Sequence, residues 1–106
     1  MQQAQQLDRV FGALANPVRR SILDTIASGE RTVVQLAAPH SMSLNAVSKH
    51  IKVLERAGLV QRHVDGSYHR ISMDSAAMAE AARWLAHYVP FWRDAMHNLK
   101  NHAESK

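Results

Sequence analysis

The apolar residues of this chain keep a helical period as far as Ala57 and then, past Gly58, alternate around a single Asp65-Gly66 pair. A helical stripe laid out as a strand would throw half its apolar side chains onto the wrong face, so the change of period marks where helix gives way to sheet. Asp-Gly between two alternating runs, Leu59 to Val64 and Tyr68 to Met73, signals a tight hairpin, because both turn residues tolerate positive φ. The expected fold class is therefore mainly α with one β-hairpin.

Upstream, Leu7, Val10, Phe11 and Leu14 make one stripe of a first helix that follows about five polar residues and ends near Ala15. Asn16-Pro17 restarts the chain, since asparagine caps free amides and proline at the first helical position surrenders an amide that lacked a partner. The second helix runs from Pro17 to about Ser28 on Val18, Ile22, Leu23 and Ile26, with Gly29 beyond its end. Thr32 and Gln35 form a capping box for a short third helix that Pro39 terminates. Ser43 caps a fourth helix from Leu44 to about Ala57, whose inward stripe is Val47, Ile51 and Leu54. A last, long helix follows the hairpin from about Ser75 to past Asn101, and Pro90 predicts a kink or break near His87. The order is α-α-α-α-β-β-α in one domain spanning 1–106.

Charge gives the first functional indication. Thirteen Lys and Arg against nine Asp and Glu leave +4 with histidine neutral, and +3 of it lies between Asn45 and Arg70. Positions Asn45, Ser48, Lys49, Lys52 and Arg56 fall on the outward face of the fourth helix, opposite its apolar stripe. A short helix, a tight turn and a second helix with a polar outward face make a helix-turn-helix, over about 33–57, whose second helix enters the DNA major groove. The hairpin over about 59–73 then stands as a wing, with Arg62, His63 and Arg70 flanking a tip at Val64 to Ser67. Asn45, Ser48 and Lys49 are expected to read or abut bases, while Arg19, Arg20, His50, Lys52, Arg56, Arg62, His63 and Arg70 hold the phosphate backbone. For His50 half-buried packing competes with a phosphate bond, and for Ser48 a bond back to its own helix competes with a DNA contact. Arg19 and Arg20 open a helix, where the dipole disfavours cations; phosphate contact would offset this, and pairing of Arg20 with Asp24 is the alternative.

Other classes find little support. With no cysteine the chain has no disulfide, thiolate metal site or cysteine nucleophile. Neither a nucleophile elbow nor a glycine-rich phosphate loop nor a zinc-hydrolase helix motif occurs, so no enzyme and no cofactor is expected. The N-terminal Met-Gln-Gln-Ala-Gln-Gln lacks the pattern of a signal peptide, and the longest apolar run, Trp84 to Trp92, is nine residues broken by His87 and Pro90. A bilayer span needs about 20. A cytoplasmic protein without membrane contact is expected.

Asn16-Pro-Val-Arg-Arg-Ser-Ile-Leu, the Val47-Ser-Lys-His-Ile signature with Leu54 and the Gly58-Leu-Val exit, the Asp-Gly hairpin and the long last helix together resemble the ArsR/SmtB family of bacterial winged-helix repressors. The resemblance covers roughly residues 7–100. It implies a homodimer built mainly from the first and last helices, about 5–15 and 75–101, on a palindromic operator of double-stranded DNA, released by an inducer, a small molecule or otherwise, that the sequence does not identify. Leu7, Phe11, Trp84, Tyr88, Phe91, Trp92, Met96 and Leu99 are the expected dimer interface, since the last helix is apolar nearly all round; a ligand pocket is the weaker reading of the aromatics. The paired cysteines of the family's metal sensors are absent from the third helix. His87, Asp94, His97, His102 and Glu104 do not reproduce the spacing of its other metal site, so no metal is assigned, although a nonstandard His/Asp site across a dimer stays open. The alternative function is a winged-helix protein-interaction or antitoxin-like module that reads no operator.

Overall fold

A computed structural model describes residues 2–104, with side chains over 4–101. The elements are α1 (Gln2–Leu14), α2 (Pro17–Ile26), β1 (Arg31–Thr32), α3 (Val33–Ala37), α4 (Leu44–Arg56), β2 (Val60–Asp65), β3 (Tyr68–Met73), α5 (Ser75–Ala86) and α6 (Val89–Glu104). The capping signals all form. Asn16 Oδ1 accepts from the amides of Val18 and Arg19, Thr32 and Gln35 close a reciprocal box, and Ser43 Oγ accepts from Ala46 N.

The stripes of α1, α2, α3 and α4 meet the inner face of the sheet in one core. Val10, Ile22, Leu36, Val47, Ile51, Leu54, Leu59 and Ile71 are its largest fully buried members. No polar or charged side chain is buried with them among the described residues. Gly58 leaves α4 at φ +75°, where a Cβ would also lie 3.2 Å from Gln6 Nε2, so this position combines a left-handed backbone with a close approach.

Two features differ from expectation. The hairpin carries a third strand: β1 pairs antiparallel with β3 through Arg31↔Ile71 and Thr32↔Arg70, giving the order β1-β3-β2. The turn sits one residue later than expected, because Asp65 pairs with Tyr68 and leaves Gly66-Ser67 as the loop. Only Gly66 there has positive φ, the arrangement that a type II′ turn asks for with glycine first. The last helix does break, into α5 and α6 at His87-Tyr88, as Pro90 predicts. Pro90 is the second residue of α6, a position whose amide has no intrahelical acceptor, so the proline starts a helix at no cost in hydrogen bonds.

The break sends α6 away from the body. Every described residue from Ala82 to Asn101 is exposed, including Phe91 at 64 % and Trp92 at 59 %. The radius of gyration is 17.6 Å, against about 13 Å for a compact chain of this length.

Candidate nucleic-acid interface

Ser43 and the Gly58 exit fix the ends of α4, and its buried Val47, Ile51 and Leu54 fix its rotation about its own axis. Asn45, Lys49, Lys52 and Arg56 then stand exposed on the far face, with Ser48 partly covered between them. Neither Lys49 nor Lys52 has an ion-pair partner within 4.0 Å among the described residues.

The register of the wing sorts its charges onto two faces. Arg62↔Ile71 and Val64↔His69 share the face turned to α4, while His63↔Arg70, with Asp65 beside Arg70, lie on the other. On the α4 side, Arg62 Nη2 lies 2.8 Å from Glu55 Oε1, and its Nη1 donates to His69 Nδ1 at 3.1 Å. On the opposite side, Arg70 lies 3.5 Å from Asp65 and 3.8 Å from Glu30. His63 Nε2 is 3.3 Å from Ser72 Oγ. The two wing arginines expected to flank the tip therefore lie mid-strand, within ion-pair distance of carboxylates that sequence spacing did not connect to them.

Between α4 and the wing runs a groove with two widenings. One of about 560 Å³ is bounded by Val34, Leu44, Asn45 and Ser48 on the helix side and by Arg62, Tyr68 and His69 on the wing. The other, about 580 Å³, continues from Ser48 past Lys52 to Arg56. Val34, Leu44 and Tyr68 are 66 %, 51 % and 64 % exposed, so the wall of the groove is apolar where the helix begins. Sequence reasoning missed these three; the signal available was an apolar side chain on the outward phase of α3 and of α4, which no core position explains.

Arg19 and Arg20 have a different setting from the one expected. Arg19 donates through Nε to Ala13 O at 2.8 Å and through Nη2 to Gly12 O at 3.1 Å, and Arg20 Nη1 reaches Leu14 O at 2.7 Å. These are carbonyls of the last turn of α1, at its negative end, where Gly12 O also accepts from Ala15 N at 3.2 Å. The two cations at the start of α2 are thus accounted for by the end of α1, and Arg20 makes no ion pair with Asp24. Arg19 also donates through Nη1 to His50 Nδ1 at 3.1 Å. Partial burial, then the charge of Arg19, then that of His40 hold the His50 imidazolium below its ordinary pKa.

The aromatic residues form a chain along the outer side of α5 and α6. Phe11 meets Trp84 edge-on at 5.6 Å, Trp84 lies 5.0 Å from Tyr88, and Phe91 lies 5.5 Å from Trp92. Leu7 and Phe11 also pack on the core, whereas Met96 and Leu99 are 68 % and 69 % exposed. No group of three or more His, Asp or Glu able to hold a metal occurs among the described residues, and the side chains of His102 and Glu104 lie outside them. No helix of the described residues is long and apolar enough to cross a membrane.

A model of a helix-turn-helix domain matches residues 14–63, which spans α2 through the first half of the wing. The transcriptional repressor SdpR of Bacillus subtilis (strain 168) is 25 % identical over 83 residues, covering 78 % of this chain and 92 % of that one. The crystal structure of an ArsR family transcriptional regulator superposes with a TM-score of 0.79 at 33 % identity, over 85 % of this chain and 93 % of the other. The homodimeric winged helix-turn-helix DNA-binding domain of Mb0332 from Mycobacterium bovis superposes with a TM-score of 0.65 at 32 % identity, over 80 % and 82 % of the two chains. A helix-turn-helix whose second helix carries the exposed cations, a wing beside it and these relatives place the chain in the ArsR/SmtB family of winged helix-turn-helix, DNA-binding transcriptional regulators.

Proposed function

We propose that the chain is a cytoplasmic, homodimeric repressor that binds a palindromic operator and leaves it when an inducer binds. The observation that carries this reading is the pairing of the exposed Asn45, Lys49 and Lys52 face of α4 with an adjoining wing. In this reading the single domain divides into a helix-turn-helix over about 33–57, a wing over about 59–73 and dimer helices near 5–15 and 75–101. Two copies of α4 lie in successive major grooves about 34 Å apart. Asn45 and Ser48 meet base edges, Lys49 abuts them while pairing with a phosphate, and His50, Lys52, Arg56, Arg20 and the wing face bearing His63 and Arg70 meet phosphates. Arg62 faces the groove and stiffens the wing against α4. Leu7, Phe11, Trp84, Tyr88, Phe91, Trp92, Met96 and Leu99 cover one another across the dimer axis. The name of SdpR as a repressor and the homodimeric state of the Mb0332 domain support the two finer parts of this reading. Its role is regulatory and not catalytic.

The test is a gel shift with the DNA upstream of the chain's own gene, at two salt concentrations, with and without divalent metal ions. Binding that falls steeply with salt is expected, because phosphate contacts release counterions. Absence of a shift at low salt would favour the protein-interaction reading instead.

A further inference from the structure

We infer that Arg19 is a positioning residue that holds His50 of α4 as the neutral Nε2–H tautomer and so presents an uncharged donor to a DNA phosphate. The inference rests on the DNA-binding reading above and assigns Arg19 a place in it other than direct contact.

A guanidinium has only donors, so the 3.1 Å contact from Arg19 Nη1 makes Nδ1 of His50 the acceptor. The ring proton of a neutral imidazole then sits on Nε2. A protonated ring would set two cations against each other across that contact. The groups facing His50 are Arg19 from α2 and His40 from the turn before α4, both positive or ionisable to positive, and no carboxylate ion-pairs with it among the described residues. The lowered pKa of the ring agrees with this setting.

Arg19 is itself held. Its Nε and Nη2 are fixed on Ala13 O and Gly12 O at the end of α1, so the guanidinium is a rigid fork between α1 and the recognition helix. Nε2 of His50 has no protein partner among the described residues, and the residue next to it on α4, Lys49, is exposed. A donor oriented by a fixed partner loses less freedom on binding than a free side chain. Because it carries no charge, its bond to a phosphate releases no counterion, which distinguishes it from Lys49 and Lys52.

The experiment has two arms. Nitrogen-15 NMR of the whole wild-type chain, without DNA and at mildly alkaline pH, is expected to show His50 with Nδ1 unprotonated and Nε2 protonated. An Nδ1–H tautomer, or an imidazolium, would overturn the inference whatever DNA does. In the second arm, binding to a mixed-sequence duplex is titrated with salt for wild type, Arg19→Gln, His50→Ala and the double variant, with folding checked by circular dichroism. Each single variant is expected to bind about three- to tenfold more weakly, the double variant no more weakly than either, and the log–log salt slope to stay at the wild-type value. A slope smaller by about 0.9 in Arg19→Gln would mean that Arg19 neutralises a phosphate itself, and additive losses would mean that the two residues act apart; either result overturns the positioning role. Should Arg19→Gln fail to fold, His50→Ala alone decides, since an unchanged slope with weaker binding supports a neutral donor and a slope reduced by about 0.9 refutes it. If wild type does not bind the duplex at low salt, the DNA reading fails and the tautomer result still stands by itself.

Discussion

Glu55 on the recognition helix and Arg62 on the wing are joined by two hydrogen bonds to one carboxylate oxygen, at 2.8 Å from Nη2 and 3.2 Å from Nε. Their side chains are 30 % and 18 % exposed, so the pair is neither a free surface bridge nor a sealed one. It ties the element that enters a groove to the element that flanks it, and it cancels the one wing cation that faces α4.

Glu55→Gln separates these two effects. Weakening a partly exposed charged pair costs about 1 kcal/mol, which for a domain of this size lowers Tm by about 4–8 °C. The same change removes a negative charge beside the groove and frees Arg62, so affinity for duplex DNA rises at low salt. Thermal melts and fluorescence anisotropy check both; a loss of stability with a parallel loss of affinity would mean that the pair orders the wing for binding.

Lys49 and Lys52 have no ion-pair partner among the described residues to lose, in contrast with Arg62 and Arg70. Lys49→Ala and Lys52→Ala should each leave Tm unchanged and reduce the salt slope of DNA binding by about 1. A variant that keeps the full slope removes that lysine from the phosphate contacts.

Much of this arrangement was legible because the local signals are short-range. Asn16, Thr32 with Gln35, and Ser43 each satisfy amides two or three residues away, so the helix starts could be read directly. The break before α6 was announced by Pro90. What escaped was everything that depends on distant partners. A two-residue strand such as β1 has no period of its own and exists only because Arg31 meets Ile71. The ion pairs of the wing could not be read from spacing, because Arg62 pairs with a residue on the previous helix and Arg70 with Glu30, forty positions earlier in the chain. The bonds of Arg19 and Arg20 to the end of α1 are invisible to an argument about α2 alone, because that end is folded back beside them.

Asp74 caps α5, accepting from Gln61 Nε2 at 3.0 Å and from Ala76 N at 3.1 Å. The Gln61 bond first, and the Ala76 amide second, hold its carboxyl below the usual aspartate range. A depressed folded pKa means that its contribution to stability is present above the ordinary aspartate value and is lost as pH falls through the lower folded value. Asp74→Asn keeps a good cap and should match wild type at neutral pH while flattening the acid limb of the stability curve. Asp74→Ala should melt lower at neutral pH. Thermal melts across the acid range decide, and an unchanged acid limb in Asp74→Asn would place that titration elsewhere.

Trp92 is 59 % exposed on a helix whose described residues are all exposed, and its ring meets Phe91 edge-on at 5.5 Å, with Met96 and Leu99 further along α6. Tryptophans at the centre of interfaces commonly carry 2 kcal/mol or more, roughly a thirtyfold change in dissociation constant. Because a twofold interface repeats every contact, Trp92→Asp introduces two buried charges at once. Sedimentation should show a dimer for wild type and a monomer for the variant at the same micromolar concentration, while circular dichroism stays unchanged because Trp92 supports no part of the core. The monomer should bind a palindromic site with the affinity of a half-site, since the second α4 no longer arrives at high effective concentration. A Trp92→Asp chain that still sediments as a dimer would move the interface off α6 and onto α1 and α5 alone.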